Sequence, residues 1–363
     1  MKKVKLLFIV LFLFSFILSA CGEKDEESSA NSEEGKEKEI VVYQMMRDYC
    51  SLAEDTIDEI MLEEYNTKVV CQDLSSAEAF TKIQSEKDDP VASVVVADVN
   101  GTAAGIAGDY YEELDSEIVT NLNEIDGEAT EVLGDKMVAI SYAAIGLTYR
   151  SDLFDEKGLE EPKKWEDLFD SNLEGEVGMY SSGISAPYEQ LVSLAVTEGG
   201  DQENIDPGFE KMKKLVDLGQ SHAFYDSGPM MYQALIDGEI MVGPGYSEGS
   251  LELAAENEDI EFVFPEDGFA RSLRGASVIK DSPHQEEAMQ YVNLLLSEEW
   301  QEILVEERFH SPVRDDLDIK DDDFLKDLEP KDGWDNAYDI DWVEHSKQHN
   351  ERYERYSDEI ERE

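Results

Sequence analysis

Between residues 40 and 97, three short apolar runs alternate with two stretches of helical periodicity, and this order constrains the fold more than any other feature of the chain. Ile40-Val41-Val42-Tyr43 reads as a buried strand. Ile57, Ile60, Met61 and Leu62 line one side of a helix over residues 52–65, and Val69-Val70 mark a second strand. Residues 77–85 supply a second helix and 91–97 a valine-rich third strand. Strands separated by helical crossovers pair in parallel, and a parallel sheet needs helices on both faces. Residues 98–108 are small and Gly-rich and read as a loop. The stretch 137–149, MVAISYAAIGLTY, is β-compatible without polar alternation, which suggests passage through a buried interface. From Trp165 the pattern starts again: a strand at 177–180, helices at 187–198, 207–218 and 230–237, a strand at 240–242 and a last segment at 260–264. A strand near 276–279 and a helix at 285–296 then return to the first unit. The expected class is α/β, with two mixed-sheet lobes joined by a hinge that the chain crosses more than once.

The ends carry a different message. Lys2, Lys3 and Lys5 lead into an apolar run over 6–18, the charge order of a secretory signal and too short to span a bilayer comfortably. The run stops at Leu18-Ser19-Ala20-Cys21, which resembles the lipobox of bacterial lipoproteins; that resemblance implies cleavage before Cys21 and diacylglycerol on its thiol. The chain is therefore divided into a signal peptide (1–20), a lipidated flexible tether (21–39), lobe 1 (40–136 with 270–315), lobe 2 (137–269) and an acidic extension (316–363). Leu325, Trp334, Tyr338, Ile340 and Trp342 imply that part of this extension packs. Its last dozen residues read as a fraying end. Against 30 Lys and Arg stand 86 Asp and Glu, a formal charge of −56 spread along the chain. That balance excludes nucleic acid and anionic lipid as partners and suits a surface exposed to high salt. The expected location is the outer face of the cytoplasmic membrane, held there by lipid.

Catalytic signatures are missing: there is no HExxH, no CxxC, no serine elbow and no phosphate loop. The glycines at 243 and 245 read as bends at a strand end. Five histidines are scattered, and His345 and His349, spaced i, i+4, read as a solvated helix face. Cys50 and Cys71 are left open, as a disulfide in an oxidising compartment or as two reduced thiols. No enzyme, metal or cofactor is expected. A carboxylate-based hydrolase and a surface sensor or adhesion lipoprotein remain as alternatives.

The passage EPKKWEDLFDSNLEGEVGMY at 161–180 resembles the "P-x-x-W-x-D-L... G-x-V" region of solute-binding proteins of ATP-driven importers, in the cluster that takes up polyamines, ferric iron and small organic or phosphorus-containing anions. VAISYAAIGLTYRSDLF, Gly275 to Pro283, Tyr291 to Ser297 and Ser311-Pro312-Val313-Arg314 are similar to further passages of that family, in the same order. The resemblance implies a type 2 periplasmic binding protein-like fold that closes on one small solute and delivers it to an ABC permease in the cytoplasmic membrane. The chain is taken as a monomer. In such sheets ligands lie beyond the carboxyl ends of strands. The candidate contacts are Met46 and Arg47 after the first strand, Thr102 after the third, and Ser181 and Ser182 after the strand at 177–180. Tyr225, Ser227 and Tyr246 come from lobe 2 loops, and Arg271 and Arg274 flank the return to lobe 1. These two arginines beside Gly275 favour an anionic or zwitterionic solute. A polyamine would instead use Asp98, Asp226, Glu248 or Asp267 with aromatic walls, and ferric iron would use tyrosines.

Overall fold

The computed structural model describes residues 37–45, 48–131, 134–314, 316–317, 328–331 and 333–362. Cys21, the signal run, Met46 and Arg47 lie outside the described residues, as does the side chain of Thr102.

The first lobe opens with β1 (Lys38–Gln44), α1 (Tyr49–Glu54), α2 (Ile57–Tyr65), β2 (Thr67–Asp73), α3 (Ser76–Ser85), β3 (Val94–Asp98), α4 (Val99–Ala107) and α5 (Gly127–Glu131). The strand β4 (Val138–Arg150) leads into α6 (Ser151–Lys157), β5 (Val177–Tyr180), α7 (Ala186–Thr197), α8 (Asp206–Asp217), β6 (Ser221–Tyr225), α9 (Gly228–Ile236), β7 (Val242–Tyr246), α10 (Ser247–Glu256) and β8 (Ile260–Val263). The return is β9 (Phe269–Val278), α11 (Gln285–Leu295) and α12 (Glu298–Arg308), followed by β10 (Ala337–Asp339) and α13 (Trp342–Tyr356).

The strand order β2-β1-β3-β9-β4-β7-β5-β6 divides at β4 into two mixed α/β lobes. β1 pairs in parallel with β2 and β3, and β5 with β6 and β7, as helical crossovers require. The hinge is written into β4. Its residues Val138 to Ala144 pair with β9, whereas Ile145 to Arg150 pair with β7 and β8. A strand with sheet partners in both lobes has no solvated face, which explains why twelve of its thirteen residues are buried and why its sequence lacks polar alternation.

Local chemistry sets several element ends. Ser75 and Glu78 form a reciprocal capping box at the start of α3, and Asp341 caps α13 by accepting from the Glu344 N–H at 2.9 Å. Trp165, fully buried, donates from its indole to the Gly268 carbonyl at 2.9 Å and so ties the lobe 2 turn at Trp165–Phe169 to the loop that launches β9. Gln301 clamps the Pro-Val-Arg segment: its amide donates to the Ile140 carbonyl, and its carbonyl oxygen accepts from the Val313 N–H.

Several expectations differ from the structure. The small-residue stretch after β3 is the helix α4; its small side chains allow close approach, since a methyl group at Gly105 would collide with the Tyr111 ring. Gly243 and Gly245 lie inside β7, where added Cβ atoms would meet Met231 in one case and Thr148 with Ser250 in the other. The helix expected over 52–65 breaks into α1 and α2 at Asp55-Thr56. β1 begins at Lys38, within the stretch assigned to the tether. Cys50, on α1, and Cys71, within β2, are joined as a disulfide.

The acidic extension is packed over much of its described length. Leu328, Ile340, Trp342, Tyr356 and Ile360 are buried. His345 is 3 % exposed, against Tyr188 and Trp342, whereas His349 one turn on stays exposed, so the expected solvated face holds for His349 and not for His345. The fraying end is corrected too: Tyr356 and Ile360 supply apolar anchors late enough in the chain to order the last turns. Among the described residues, no group of His, Cys, Asp and Glu could hold a metal ion, and no helix is long and apolar enough to cross a membrane.

Candidate functional site

The carboxyl ends of β3 and β7 and the amino-terminal halves of α7 and α10 converge on β9, the neighbour of the hinge strand β4. A cluster of buried polar side chains forms there. At its centre is Arg274 of β9, only 7 % exposed, whose register partner on β3 is Asp98. Its guanidinium forms an ion pair with Glu248, from the first turn of α10, and lies 5.1 Å from the centre of the Tyr246 ring. Burial disfavours the Arg274 charge, yet Glu248, Tyr246, Asp98 and Glu189 together hold its pKa above the ordinary value. Burial acts to raise the Glu248 carboxyl as well, and Arg274, with smaller contributions from His310 and the Glu248 backbone N–H, outweighs it, leaving Glu248 below the usual carboxylate range.

Glu189 completes the cluster. It is the lone charged residue of a largely apolar run on α7, APYEQLVSLAV, and is 1 % exposed. Burial pushes its carboxyl up to about 7, against the opposing pull of the Tyr246 and Ser272 hydroxyls and of Arg274. One of its oxygens, Oε2, has no hydrogen-bond partner. A buried carboxylate oxygen left unpaired is costly, so this one marks a place where a donor can be received. The Tyr246 hydroxyl bonds Ser185 Oγ at 2.9 Å, which joins the loop between β5 and α7 to the cluster. In that same loop Ser182 presents its N–H and its hydroxyl to a carboxylate of the same chain, that of Glu361, at 2.5 and 2.9 Å. The Ser181 hydroxyl beside it is buried without a partner, as is the Tyr180 hydroxyl, which lies near Gly228 at the start of α9.

The candidate contacts do not all meet. Arg274, Tyr246, Ser181 and Ser182 lie in or beside the cluster. Arg271 does not stand beside Arg274: on a strand, residues three apart point to opposite faces, so the pair is split. Arg271 makes a forked ion pair with Asp339 of β10, at 2.7 and 2.8 Å, over the ring of Tyr142. Tyr225, in β6, has a buried hydroxyl without a partner and is perturbed by burial and by Glu239, not by the carboxylates of the cluster. Ser227 precedes α9, and its carbonyl accepts from the Met231 N–H; its side chain makes no cap. Thr102 falls on α4. Of the carboxylates considered for a polyamine, Glu248 and Asp98 are in the cluster, and Asp267 instead accepts from the Trp165 N–H.

Sequence reasoning missed Glu189, Tyr180 and Tyr232. Glu189 had a signal, a lone charge inside a largely apolar helix; the two tyrosines had none, since their positions depend on how β5 and α10 pack against α9. The Tyr232 hydroxyl lies 3.3 Å from Ser250 Oγ, and burial raises its pKa beyond the ordinary tyrosine value.

Residues 57–329 match the model of a family described as bacterial extracellular solute-binding protein. An uncharacterized protein of Haemophilus influenzae is 25 % identical over 265 residues, 70 % of this chain and 73 % of that one. An ABC transporter structure from Clostridium perfringens superposes with a TM-score of 0.75 at 18 % identity, covering 88 % of this chain and 99 % of that one. The periplasmic binding protein AfuA from Actinobacillus pleuropneumoniae, solved with exogenous fructose-6-phosphate bound, gives 0.72 at 21 % identity, covering 90 % of this chain and all of that one. Members of this family are non-catalytic transport components. Two lobes, a hinge strand shared between them and a polar cluster where their strand ends converge are what capture of a small solute requires, and the chain belongs to the family of bacterial extracellular solute-binding proteins that serve ABC importers.

Proposed function

We propose that the solute is a small zwitterion whose anionic group is taken by Arg274 and the Ser181-Ser182 loop and whose cationic group is taken by Glu189 and Glu248. The observation that carries this reading is the composition of the buried cluster: one guanidinium among three carboxyl groups, one of them with an unpaired oxygen. A purely anionic guest would have to displace Glu248 from Arg274 and then face Glu189 and Asp98. A polyamine would suit the carboxylates and leave Arg274 inside a positively charged complex. A guest with both charges satisfies each group, replacing one charge pair by two. A phosphorylated solute in AfuA, a protein of the same fold, supports the anionic half of this reading.

Closure follows from the same geometry. Arg274 and Asp98 belong to strands of the first lobe's sheet, whereas Glu189, Tyr246 and Glu248 come from the second. A guest touching both sets binds the closed form better and shifts the population toward it. A lipid on Cys21 would keep this receptor beside its permease on the outer face of the cytoplasmic membrane, and the charge of −56 would keep it soluble in saline surroundings.

A thermal-shift panel in molar salt tests the reading, with α-amino acids, aminoalkylphosphonates, simple carboxylates, spermidine and ferric citrate. Stabilisation by a zwitterion and not by spermidine or ferric citrate is expected. Stabilisation by spermidine alone would assign the polyamine function instead.

A further inference from the structure

The segment from β10 through α13 and the turn after it to Glu361 places two of its own carboxylates on two groups with the chemistry of anion contacts. Asp339 grips Arg271 in a forked pair, and Glu361 grips Ser182 through both the N–H and the hydroxyl. A carboxylate held by a backbone N–H and an adjacent hydroxyl is bound as an anionic guest would be. The Ser181 hydroxyl at the same loop, buried and without a partner, is a further donor that a larger anionic group could use.

The strap that delivers Glu361 is firmly seated. The Tyr356 hydroxyl donates to the Tyr180 carbonyl at 3.0 Å, and its ring packs on Tyr188 and Phe209. Arg352 donates to the Gln202 carbonyl at 2.7 Å, Arg355 pairs with Asp206 at 2.5 Å, and Ile360 is fully buried. α13 also packs against α4, which starts where β3 of the first lobe ends. The strap therefore touches both lobes beside the strand ends that frame the cluster.

We propose that this strap is a built-in occupant of the anion seat: the Glu361 carboxylate holds Ser182 and must leave it before the phosphonate or carboxylate of the solute arrives. The strap then sets the concentration at which the receptor fills. This rests on the preceding reading that the loop after β5 receives the solute's anionic group. The expected size follows from occupancy. With the seat docked in more than about nine-tenths of molecules, under about a tenth are competent, and the apparent affinity is weakened about tenfold or more.

The test uses the full chain with Glu361→Gln, which removes the charge and keeps the Tyr356 and Ile360 anchors. Glu359→Gln is the control; it removes the same charge from a residue that pairs with Arg355 at 2.9 Å instead. Calorimetric titration of inorganic phosphate and of an aminoalkylphosphonate is expected to show binding at least about tenfold tighter for Glu361→Gln, and an unchanged affinity for Glu359→Gln. Equal binding by wild type and Glu361→Gln, or weaker binding by the variant, overturns the strap's role and leaves the zwitterion reading standing. Binding of neither probe to either protein overturns both. Faster exchange of the Ser182 amide in Glu361→Gln is expected without any ligand, and unchanged exchange counts against the docked strap.

Discussion

Replacing Glu189 by Gln should free the fold from a penalty that grows with pH. The carboxyl titrates at about 7 in the folded protein, against an ordinary value of 4.5. Between those values the folded state holds a proton that the unfolded chain has released, so stability falls as pH rises and levels off once Glu189 is ionised in both states. A shift of this size corresponds to about 3 kcal/mol in full, of which about 2.5 kcal/mol develops between roughly pH 5 and pH 8. Glutamine does not titrate and offers its amide where Oε2 now stands unpaired. Urea unfolding of both proteins at several pH values in molar salt measures the effect; subtraction removes the contribution of the other carboxylates. The wild type should lose about 2.5 kcal/mol relative to the Gln variant from roughly pH 5 to pH 8. Parallel profiles, within about 0.5 kcal/mol, would refute the assignment of a buried, proton-holding carboxyl at this position.

Three further outcomes are expected. Cys71→Ser, or reduction of the Cys50–Cys71 bridge, reopens a loop of 21 residues and should cost about 3 kcal/mol on the chain-entropy account, read as a lower melting temperature that reductant no longer affects in the variant. Gly208→Ala should cost about 3 kcal/mol, because its Cβ would lie 2.2 Å from the Leu191 carbonyl oxygen and neither α7 nor α8 can yield; urea midpoints measure this, and a neutral result would show that the helices separate easily. Raising potassium chloride from about 0.1 to 2 M should raise the melting temperature by screening a charge of −56, and a fall would contradict the saline-surface reading.

The lobes and hinge were legible because they rest on local periodicity. The strand-helix alternation from Ile40 to Ala97 specifies parallel pairing, and the unbroken apolar run of β4 marks a strand with sheet partners in both lobes. The site was only half legible. Arg274 and Tyr246 stand at recognisable strand ends, and Ser182 opens the loop before a helix, so position alone suggested them. Arg271 was misplaced because the start of β9 lies seven residues before the strand expected there; once the strand includes 271, its alternation separates the two arginines. The destination of Asp339 and Glu361 was not legible at all. Nothing local tells a carboxylate in an acidic extension from its neighbours, and their partners lie 68 and 179 residues away along the chain.

The central claim is that the buried cluster around Arg274 selects a guest carrying both charges. Its most direct measurement is calorimetric titration, in molar salt, of one matched set: an aminoalkylphosphonate, the alkylphosphonate lacking the amine and the alkylamine lacking the phosphonate. The account predicts that the zwitterion binds at least about a hundredfold more tightly than either half, since each half leaves a buried charge unpaired at a cost of about 3 kcal/mol or more. Equal binding by the zwitterion and the amine-free phosphonate would contradict it.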